Sequence, residues 1–326
     1  MHKHTFSINS IQIVIVKMQQ PLVSVIIPTY NRIAMLQEAT ESVLAQDFKG
    51  KIEIIVIDDN SSDETCEVVS QKYPEVKLIC LNQNQGAGAA RNQGLQMAQG
   101  QYLAFLDSDD LWEKSYLREQ ISALEGKSKF FSISDILTSE TAKNKKSIHQ
   151  MKPNLRRYTS PLHHLMVGNF IHIASCVVFP HQVLQDVGLF DENIRYGQDA
   201  DFYVRCLIAD YKPIFINRPL AIQRKHNQSQ LTDIKNQNKR ITNRLYLIEK
   251  NYSLIQKKDE LNVSKNKLYA DVYKKYARMC LNQNNTLQWL QFSKKIAHYS
   301  SWYYALSNMI NDLKSFVIGK LKFRGI

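Results

Sequence analysis

The amino-acid sequence predicts an α/β protein that has a mostly parallel sheet flanked by helices, followed by a helical C-terminal extension. Between residues 22 and 110, short apolar runs rich in β-branched residues alternate with stretches of helical periodicity. Polar clusters follow directly after three of these runs. Beyond residue 235 the apolar runs stop, and the chain becomes polar, basic and helical in pattern.

The apolar runs of the N-terminal half are predicted to be buried strands, because they are short, continuous and rich in Val and Ile. Strands are predicted at 22–27, 52–57, 76–81 and 102–106, and the helices between them at 34–44, 64–73 and 86–99. Further strands are predicted at 130–136, 174–179 and 212–216, with a lysine-rich loop at 141–147 and a helix at 197–209. Because the carboxyl ends of parallel strands meet at one edge of a sheet, functional residues are expected there.

The chain of 326 residues is expected to divide into three parts. Residues 1–20 form an N-terminal extension, residues 21–234 the main domain, and residues 235–326 a basic helical region. Because Met18 precedes the first strand, residues 1–17 are expected to be a misassigned start or a dispensable extension. No apolar run approaches the ~20 residues that cross a bilayer, and the N-terminus lacks the small-residue cleavage site of a signal peptide.

The five cysteines are widely scattered, odd in number and without a Cys-x-x-Cys pair. This pattern argues against a disulfide framework and against a zinc site, and it favours a reducing compartment. A cytoplasmic protein is therefore predicted, with a peripheral position at the inner face of the cell membrane as an alternative.

The net charge of +12 is concentrated in the C-terminal region. Residues 235–326 carry eighteen Lys and Arg against five Asp and Glu, a balance of +13, so the rest of the chain is close to neutral. A basic region of this kind indicates a polyanionic neighbour such as an anionic membrane surface, but a solvated helical face explains it equally well. The helix predicted at 303–323 has one apolar face, which fits an interfacial helix and also a helix that packs on the main domain.

The sequence Asp107-Ser-Asp109 directly follows the fourth predicted strand. Two carboxylates at positions i and i+2 of a loop can converge on one hard cation, and Mg²⁺ and Mn²⁺ prefer oxygen ligands. Such a cation, Mn²⁺ or Mg²⁺, would neutralise the charge that develops on a departing diphosphate. The alternative is a solvated acidic turn, which the buried strand in front of the pair disfavours.

Two other clusters lie at predicted strand ends. Asp58-Asp59 follows the second strand, where a carboxylate can accept a hydrogen bond from a nucleobase or ribose, or can form a turn before a helix. Gly86 and Gly88 open the helix after the third strand, as in a dinucleotide-binding fingerprint. Arg91 stands where the third glycine of that fingerprint belongs, so a dinucleotide site is disfavoured and an arginine contact with a nucleotide is expected instead.

Six motifs occur in order along the chain. They are Pro-Thr-Tyr-Asn-Arg at 28–32, Ile-Asp-Asp-Asn-Ser-Ser-Asp at 57–63, Asn-x-Gly-x-Gly-x-Ala-Arg-Asn at 84–92, Phe-Leu-Asp-Ser-Asp-Asp at 105–110, Val-Gly-Leu-Phe-Asp at 187–191 and Gly-Gln-Asp-Ala-Asp-Phe-Tyr-Val-Arg at 197–205. Together they resemble the ordered signature of the family 2 inverting glycosyltransferases of bacterial surface-glycan synthesis. The resemblance spans about residues 22–231 and implies a GT-A fold there, whereas the region 235–326 lies outside it.

The resemblance implies a role for each matching position. The donor nucleotide would be bound by Pro28, Thr29, Tyr30, Arg32, Asp59, Arg91, Asp107 and Ser108. Asp109 would be the main metal ligand, with Asp107 and His226 in support. Asp199 matches the catalytic base, although an Asp at this place can also cap a helix. Gln198 stands where the family often has Glu, and it would contact the acceptor.

The activity implied by the resemblance is inverting transfer of a hexosyl or N-acetylhexosaminyl group from a nucleotide diphosphate sugar, with UDP as the expected nucleotide. The acceptor would be a hydroxyl of a glycan or a lipid-linked saccharide, as in lipopolysaccharide or capsule synthesis. Two alternatives stay open, namely a sugar nucleotidyltransferase and a non-catalytic nucleotide-sugar-binding protein. A nucleic-acid partner is not expected.

Overall fold

The chain folds around one nine-stranded sheet, which a two-stranded hairpin precedes. The computed structural model describes residues 5–8, 11–14, 22–140, 144–226, 236–257 and 263–323. The hairpin consists of β1 (Thr5–Ile8) and β2 (Ile11–Val14). The large sheet contains β3 (Val23–Thr29), β4 (Ile52–Asp58), β5 (Lys77–Cys80), β6 (Tyr102–Phe105), β7 (Asp110–Trp112), β8 (Phe130–Glu140), β9 (Lys145–His149), β10 (Val177–Pro180) and β11 (Lys212–Lys225).

Helices of the described residues flank this sheet and follow it. In the main domain they are α1 (Ile33–Leu44), α2 (Thr65–Lys72), α3 (Ala87–Met97), α4 (Tyr116–Leu124), α5 (Pro161–Val167), α6 (Val183–Val187) and α7 (Gln198–Ile208). The C-terminal region contains α8 (Gln237–Lys257), α9 (Lys265–Asn282), α10 (Thr286–Tyr299) and α11 (Trp302–Phe323). The predicted α/β class with a C-terminal helical extension is confirmed.

The first half of the sheet is parallel, with the strand order β5-β4-β3-β6. β3, β4 and β6 are buried almost throughout, as expected for strands that helices cover on both faces. Gly94 lets α3 lie close to the sheet, since a Cβ there would come within 2.7 Å of Ile26 and Ile57. The four strands predicted for this half are confirmed to within two residues at each end.

The second half of the sheet is mixed. β10 pairs antiparallel with β6 and β8, β11 runs parallel to β8, and β7 runs antiparallel to β11. Residues 174–176, predicted as part of a strand, form a 3₁₀ turn before β10. β9 includes residues 145–147, which were predicted to belong to a lysine-rich loop. The strand was missed because it is an edge strand with charged residues and no apolar run.

The C-terminal helices pack on the main domain. α8 contacts α7, and α9 contacts α5. One continuous cluster of buried apolar side chains extends from the strands to Ala305 of α11. Within the described residues, no helix combines the length and the apolar character needed to cross a bilayer.

Cys66 and Cys80 form a disulfide, so the expectation that disulfides are absent is wrong at this pair. Cys66 lies on α2 and Cys80 ends β5, and the packing of these elements places their Cα atoms 6.4 Å apart. That separation is within the range of disulfide bonds. Spacing along the sequence did not reveal the pair, because the two cysteines come together only where α2 packs against β5.

Candidate active site

A cavity of about 1130 Å³ opens at the carboxyl ends of the parallel strands. It brings together every residue that the sequence analysis expected at the donor, the acceptor and the base. These residues are Pro28, Thr29, Tyr30, Arg32, Asp59, Arg91, Asp107, Ser108, Gln198 and Asp199. Asp109 also lies on the lining, and His226 reaches it from the end of β11.

Asp59 directly follows β4 and is buried. Its two carboxylate oxygens accept hydrogen bonds from the backbone N–H groups of Gln85 at 2.7 Å and Gly86 at 2.8 Å. Gly86 has a φ of +91°, a left-handed conformation that glycine adopts readily. Burial raises the pKa of Asp59 above its ordinary value, and the two N–H groups only partly oppose this effect. The carboxylate is therefore held in place with lone pairs left for a ligand.

Thr29 and Tyr30 stand beside Asp59 at the end of β3. The buried hydroxyl of Thr29 has no hydrogen-bond partner among the described residues. Tyr30 is 45% exposed. Because buried polar groups are normally hydrogen-bonded, this hydroxyl and the open aromatic ring fit a ligand that has both polar edges and a flat face.

Arg91, buried on α3, forms an ion pair with Asp107. The backbone N–H of Asp107 donates to Ser175 Oγ at 3.0 Å. When the Gln198 amide is oriented to satisfy both ends, it accepts from Arg91 Nη1 at 3.1 Å and donates to the carbonyl of Arg195 at 3.2 Å. Arg91 thus connects the acidic loop after β6 to the start of α7.

Asp109 has two basic neighbours on one carboxylate oxygen. Arg32 Nη1 donates to its Oδ2 at 2.7 Å, and His226 Nε2 lies 3.0 Å from the same atom. Burial pushes the pKa of Asp109 upward, but Arg32 and His226 more than offset this and hold it below its ordinary value. Asp109 is therefore a stable anion within a buried site.

The acidic loop fits a divalent cation. Carboxylate oxygens of Asp107, Asp109 and Asp110 all lie within 4.8 Å of one another. Carboxylates are the ligands that Mg²⁺ and Mn²⁺ prefer, and an imidazole such as that of His226 suits Mn²⁺ better than Mg²⁺. Arg32 already balances the charge of Asp109, as a bound cation would.

Asp110, the third acid of this loop, was not singled out by the sequence analysis. It is buried at the start of β7 and accepts a hydrogen bond from Ser175 Oγ at 2.7 Å. Burial raises the pKa of Asp110 well above its ordinary value, and the charges of Asp109 and Asp107 add to the effect. The run Asp-Ser-Asp-Asp was the available signal, but it did not separate the roles of its three acids.

Arg224 is a second residue that the sequence analysis missed. Its Nε donates to the carbonyl of Asp109 at 2.6 Å, and its Nη2 donates to the carbonyls of Ser108 at 3.3 Å and Met35 at 3.1 Å. Its Nη1 also pairs with Glu38 of α1. Arg224 therefore fixes the acidic loop between β11 and α1.

Asp199 occupies the second position of α7. Gly197 directly precedes α7 and has a φ of +84°. This left-handed conformation, which glycine adopts readily, turns the chain into the helix. Asn169 Nδ2 donates to Asp199 Oδ2 at 2.8 Å. Burial raises the pKa of Asp199 above its ordinary value, although Arg91 and Arg244 lower it. The carboxylate is thus oriented by an amide and made more basic by its surroundings.

Besides Arg32 and Arg91, six further basic side chains line the cavity. They are Arg195, Lys225, Lys239, Arg240, Arg244 and Lys275. The last four belong to α8 and α9, in the region that the motifs do not cover. The positive balance of residues 235–326 was the only signal for this contribution, and it did not indicate which lysines and arginines turn inward.

Comparison with known proteins identifies relatives of the chain. A family model described as glycosyl transferase family 2 matches residues 24–188. An uncharacterized glycosyltransferase of Rickettsia typhi is 30% identical over 65% of this chain, which spans 66% of that relative. The putative teichuronic acid biosynthesis glycosyltransferase TuaG of Bacillus subtilis is 33% identical over 64% of this chain and 81% of its own length. WfaP of Escherichia coli, a UDP-Glc:alpha-D-GlcNAc-diphosphoundecaprenol beta-1,3-glucosyltransferase, is 42% identical over 35% of this chain and 45% of its own length.

Solved structures share the fold at low sequence identity. S. aureus TarS 1-349 in complex with UDP-GlcNAc aligns with a TM-score of 0.62 at 16% identity, over 93% of this chain and 92% of that one. The mannosyltransferase PcManGT from Pyrobaculum calidifontis, in complex with GDP-Man and Mn²⁺, aligns with a TM-score of 0.55 at 16% identity, over 92% and 88%. The matched family model, the relatives and the fold agree with the motifs. The chain therefore belongs to glycosyl transferase family 2 and has the GT-A fold.

Proposed function

We propose that the chain is an inverting glycosyltransferase that moves a sugar from a UDP-sugar to a hydroxyl group of a glycan or lipid-linked saccharide. Family membership supports a nucleotide-sugar glycosyltransferase in general. The observation that carries the finer proposal is the position of Asp199, which lines the same cavity as Asp59 and the acidic loop of Asp107 and Asp109. This arrangement supports a direct displacement, in which a base and a site for a charged leaving group have to border one space.

Asp199 is proposed to act as the base. It takes the proton of the acceptor hydroxyl while the hydroxyl oxygen bonds to the anomeric carbon, opposite the departing nucleotide diphosphate. The bond between the anomeric carbon and the phosphate oxygen breaks in the same step, so the configuration inverts. Because burial raises the pKa of Asp199, it is a stronger base than a solvated carboxylate. Asn169 fixes its orientation.

The donor is proposed to lie over the parallel strand ends. Asp59 accepts a hydrogen bond from the nucleobase or ribose, while Thr29 and Tyr30 contact the nucleoside. Arg32 and Arg91 line the same cavity and would pair with the negatively charged diphosphate. The remaining members of the proposed donor set are Pro28, Asp107 and Ser108.

The proposed reaction depends on a divalent cation, Mn²⁺ or Mg²⁺. Asp109 would be its main ligand, and Asp107 and His226 would support it. The bound cation supplies positive charge that stabilises the leaving nucleotide diphosphate. Arg32 would exchange its contact with Asp109 for one with the donor. PcManGT, which shares the fold, is described with Mn²⁺ and a nucleotide sugar together.

The acceptor is proposed to be an intermediate of a bacterial surface glycan. WfaP is named for transfer to a GlcNAc-diphosphoundecaprenol, and TuaG for teichuronic acid synthesis. By analogy, this chain would transfer a hexosyl or N-acetylhexosaminyl group during lipopolysaccharide, capsule or similar polymer synthesis. Gln198 would contact the acceptor beside the base. With such acceptors, the enzyme would work in the cytoplasm at the inner face of the cell membrane.

Peripheral membrane contact through the basic C-terminal region belongs to the same proposal. Along α11, Trp302 is 70% exposed, Tyr303 86% and Leu306 56%. Ile310 and Leu313 continue this exposed apolar surface. Aromatic and aliphatic residues next to lysines are typical of helices that lie in a membrane interface.

A donor panel tests the proposed function. Purified chain is incubated with nucleotide sugars, candidate acceptors and either Mn²⁺ or Mg²⁺, and released nucleotide diphosphate is measured. We expect metal-dependent release of UDP, which Asp109→Ala abolishes. Release of pyrophosphate from a sugar phosphate and a nucleoside triphosphate would instead identify a sugar nucleotidyltransferase. Binding of UDP-sugars without any release would identify a non-catalytic protein.

A further inference from the structure

The lining of the cavity contains more basic than acidic side chains. At the parallel-strand end, Arg32 pairs with Asp109 and Arg91 pairs with Asp107. Six further basic side chains, namely Arg195, Lys225, Lys239, Arg240, Arg244 and Lys275, line the cavity together with Asp199. The C-terminal helices supply four of the six, although the motifs of the family end before these helices begin.

Two of these six cations lie beside backbone that adjoins the proposed base or the residue that orients it. A Cβ at Gly197, which directly precedes α7, would lie 3.8 Å from Arg244 Nη2. A Cβ at Gly168 would collide with Lys275 Nζ. Gly168 is followed by Asn169, the residue whose amide holds the base. Arg244 therefore lies beside the backbone that leads into α7, and Lys275 lies beside the backbone next to Asn169.

Lys275 is held in this position without an opposite charge. Within the described residues it makes no ion pair and no hydrogen bond, and its Nζ lies 6.0 Å from the centroid of the Tyr276 ring. Burial, together with the charges of Arg244 and Arg240, lowers the pKa of Lys275 to about 7. Clustered cations of this kind are unfavourable by themselves, and an anion placed between them relieves both the repulsion and the desolvation.

We propose that Arg244 and Lys275 form an anion subsite that binds a phosphate group of the acceptor next to the hydroxyl that Asp199 deprotonates. The inference rests on the proposed function, and it adds the chemical class of the acceptor. A diphosphate that links a saccharide to a lipid and a phosphodiester within a glycan share this chemistry. Arginine and lysine in one pocket are well suited to phosphate, because the guanidinium gives paired hydrogen bonds and the ammonium a compact charge.

Calorimetric titration of inorganic pyrophosphate into the full chain tests the subsite without turnover. The buffer contains saturating UDP. It also contains EDTA, so that no metal ion binds the pyrophosphate. We expect Lys275→Met to weaken pyrophosphate binding about tenfold or more. The matched control is Lys274→Met, because Lys274 also lies on α9 but contacts the Tyr304 hydroxyl at 3.3 Å, away from the cavity. Equal affinity of the wild type and Lys275→Met for pyrophosphate would overturn the subsite.

Acceptor kinetics then separate the two phosphate sources. Short acceptors with a diphosphate-linked lipid, an internal phosphodiester, or no phosphate are compared in wild type, Lys275→Met and Lys275→Arg. We expect Lys275→Met to raise the KM for one of the two phosphate-bearing acceptors, while the KM for the donor stays unchanged. Lys275→Arg should bring the KM for that acceptor part of the way back to the wild-type value. An equal loss with the phosphate-free acceptor would contradict the proposal. Failure of the proposed function would differ, since the wild type would then release no nucleotide while still binding pyrophosphate.

Discussion

At the scale of residues, neighbouring charges and burial give the acids of the site different properties. Arg32 and His226 keep Asp109 ionised, whereas burial raises the pKa of Asp199 above its ordinary value. Acids whose surroundings push their pKa values in opposite directions are suited to opposite tasks. The first is suited to hold a cation and the second to accept a proton.

The acid limb of the pH–rate profile tests whether Asp199 acts as the base. As the proposed base, Asp199 would accept a proton only when ionised, so activity is expected above its pKa and should be lost as the pH falls through it. Because burial raises this pKa, we expect the loss to begin at a higher pH than the ~4 of a solvated Asp. Asn169→Ala removes a hydrogen bond that favours the charged form, so the limb should move to still higher pH. The measurement is kcat/KM against pH.

The control for this profile is Asn193→Ala, which changes an exposed asparagine that contacts Asp191 instead. It should leave the acid limb unchanged. A limb at or below pH ~4 in the wild type, or a shift of Asn169→Ala toward lower pH, would contradict the role of Asp199 as the base.

Some of these residues could be predicted from the sequence, and others could not. Asp59 and Asp109 follow apolar strands, so the edge on which they lie could be inferred from local pattern alone. Asp199 needed the resemblance to a family, since an acid at a helix start has a common structural explanation. Asn169 and Arg224 act through contacts with distant parts of the chain, and nothing in their local sequence indicates those contacts.

At the scale of elements, the acidic loop depends on its neighbours for its shape. Arg224 of β11 donates to two carbonyls of this loop and to one of α1. The buried parallel strands could be predicted because their apolar runs are continuous. β9 could not, because an exposed edge strand of lysines resembles a loop in sequence.

Arg224→Met is expected to weaken the binding of Mn²⁺ in the presence of UDP by about tenfold or more, because the loop loses the groups that orient it. Isothermal titration of Mn²⁺ measures this effect. Arg118→Met serves as the control, since Arg118 is an exposed arginine that pairs with Asp47 on the surface. Unchanged Mn²⁺ affinity in Arg224→Met would show that the loop keeps its shape without this residue.

The exposed face of α11 leads to a second prediction for an element. The double variant Trp302→Ser/Leu306→Ser should float less with vesicles of anionic lipid than the wild type, because apolar area is lost from the interface. Ile148→Ser, which changes a residue 63% exposed on β9, should float like the wild type. Equal flotation of all three proteins would rule out membrane contact through this face.

At the scale of the whole molecule, a buried network joins the main domain to the C-terminal helices. Asp201 of α7 is fully buried and accepts hydrogen bonds from Arg205 at 2.9 Å, Lys250 at 3.2 Å and Asn251 at 3.1 Å. Lys250 and Asn251 belong to α8. The boundary predicted at residue 235 marks a change in composition, but the packing across it is continuous. Composition could not reveal this, because it does not record which polar residues are buried together.

Asp201→Ala is expected to lower the free energy of unfolding by about 2–3 kcal/mol, because the partly buried Arg205 and Lys250 and the buried Asn251 lose their common acceptor. Urea denaturation followed by far-UV circular dichroism measures the change. Asp47→Ala, which breaks an exposed ion pair with Arg118, should leave the free energy of unfolding nearly unchanged. A similarly small effect for Asp201→Ala would mean that the network does not join the two parts.

The central claim is that Asp199 acts as the base in the cavity that also binds the nucleotide sugar. Paired measurements on Asp199→Asn, namely calorimetric UDP affinity with Mn²⁺ and the rate of UDP release from the donor with acceptor, test it most directly. We predict UDP affinity close to that of the wild type and a rate lowered by about 10²-fold or more. A variant that turns over at the wild-type rate would contradict the account.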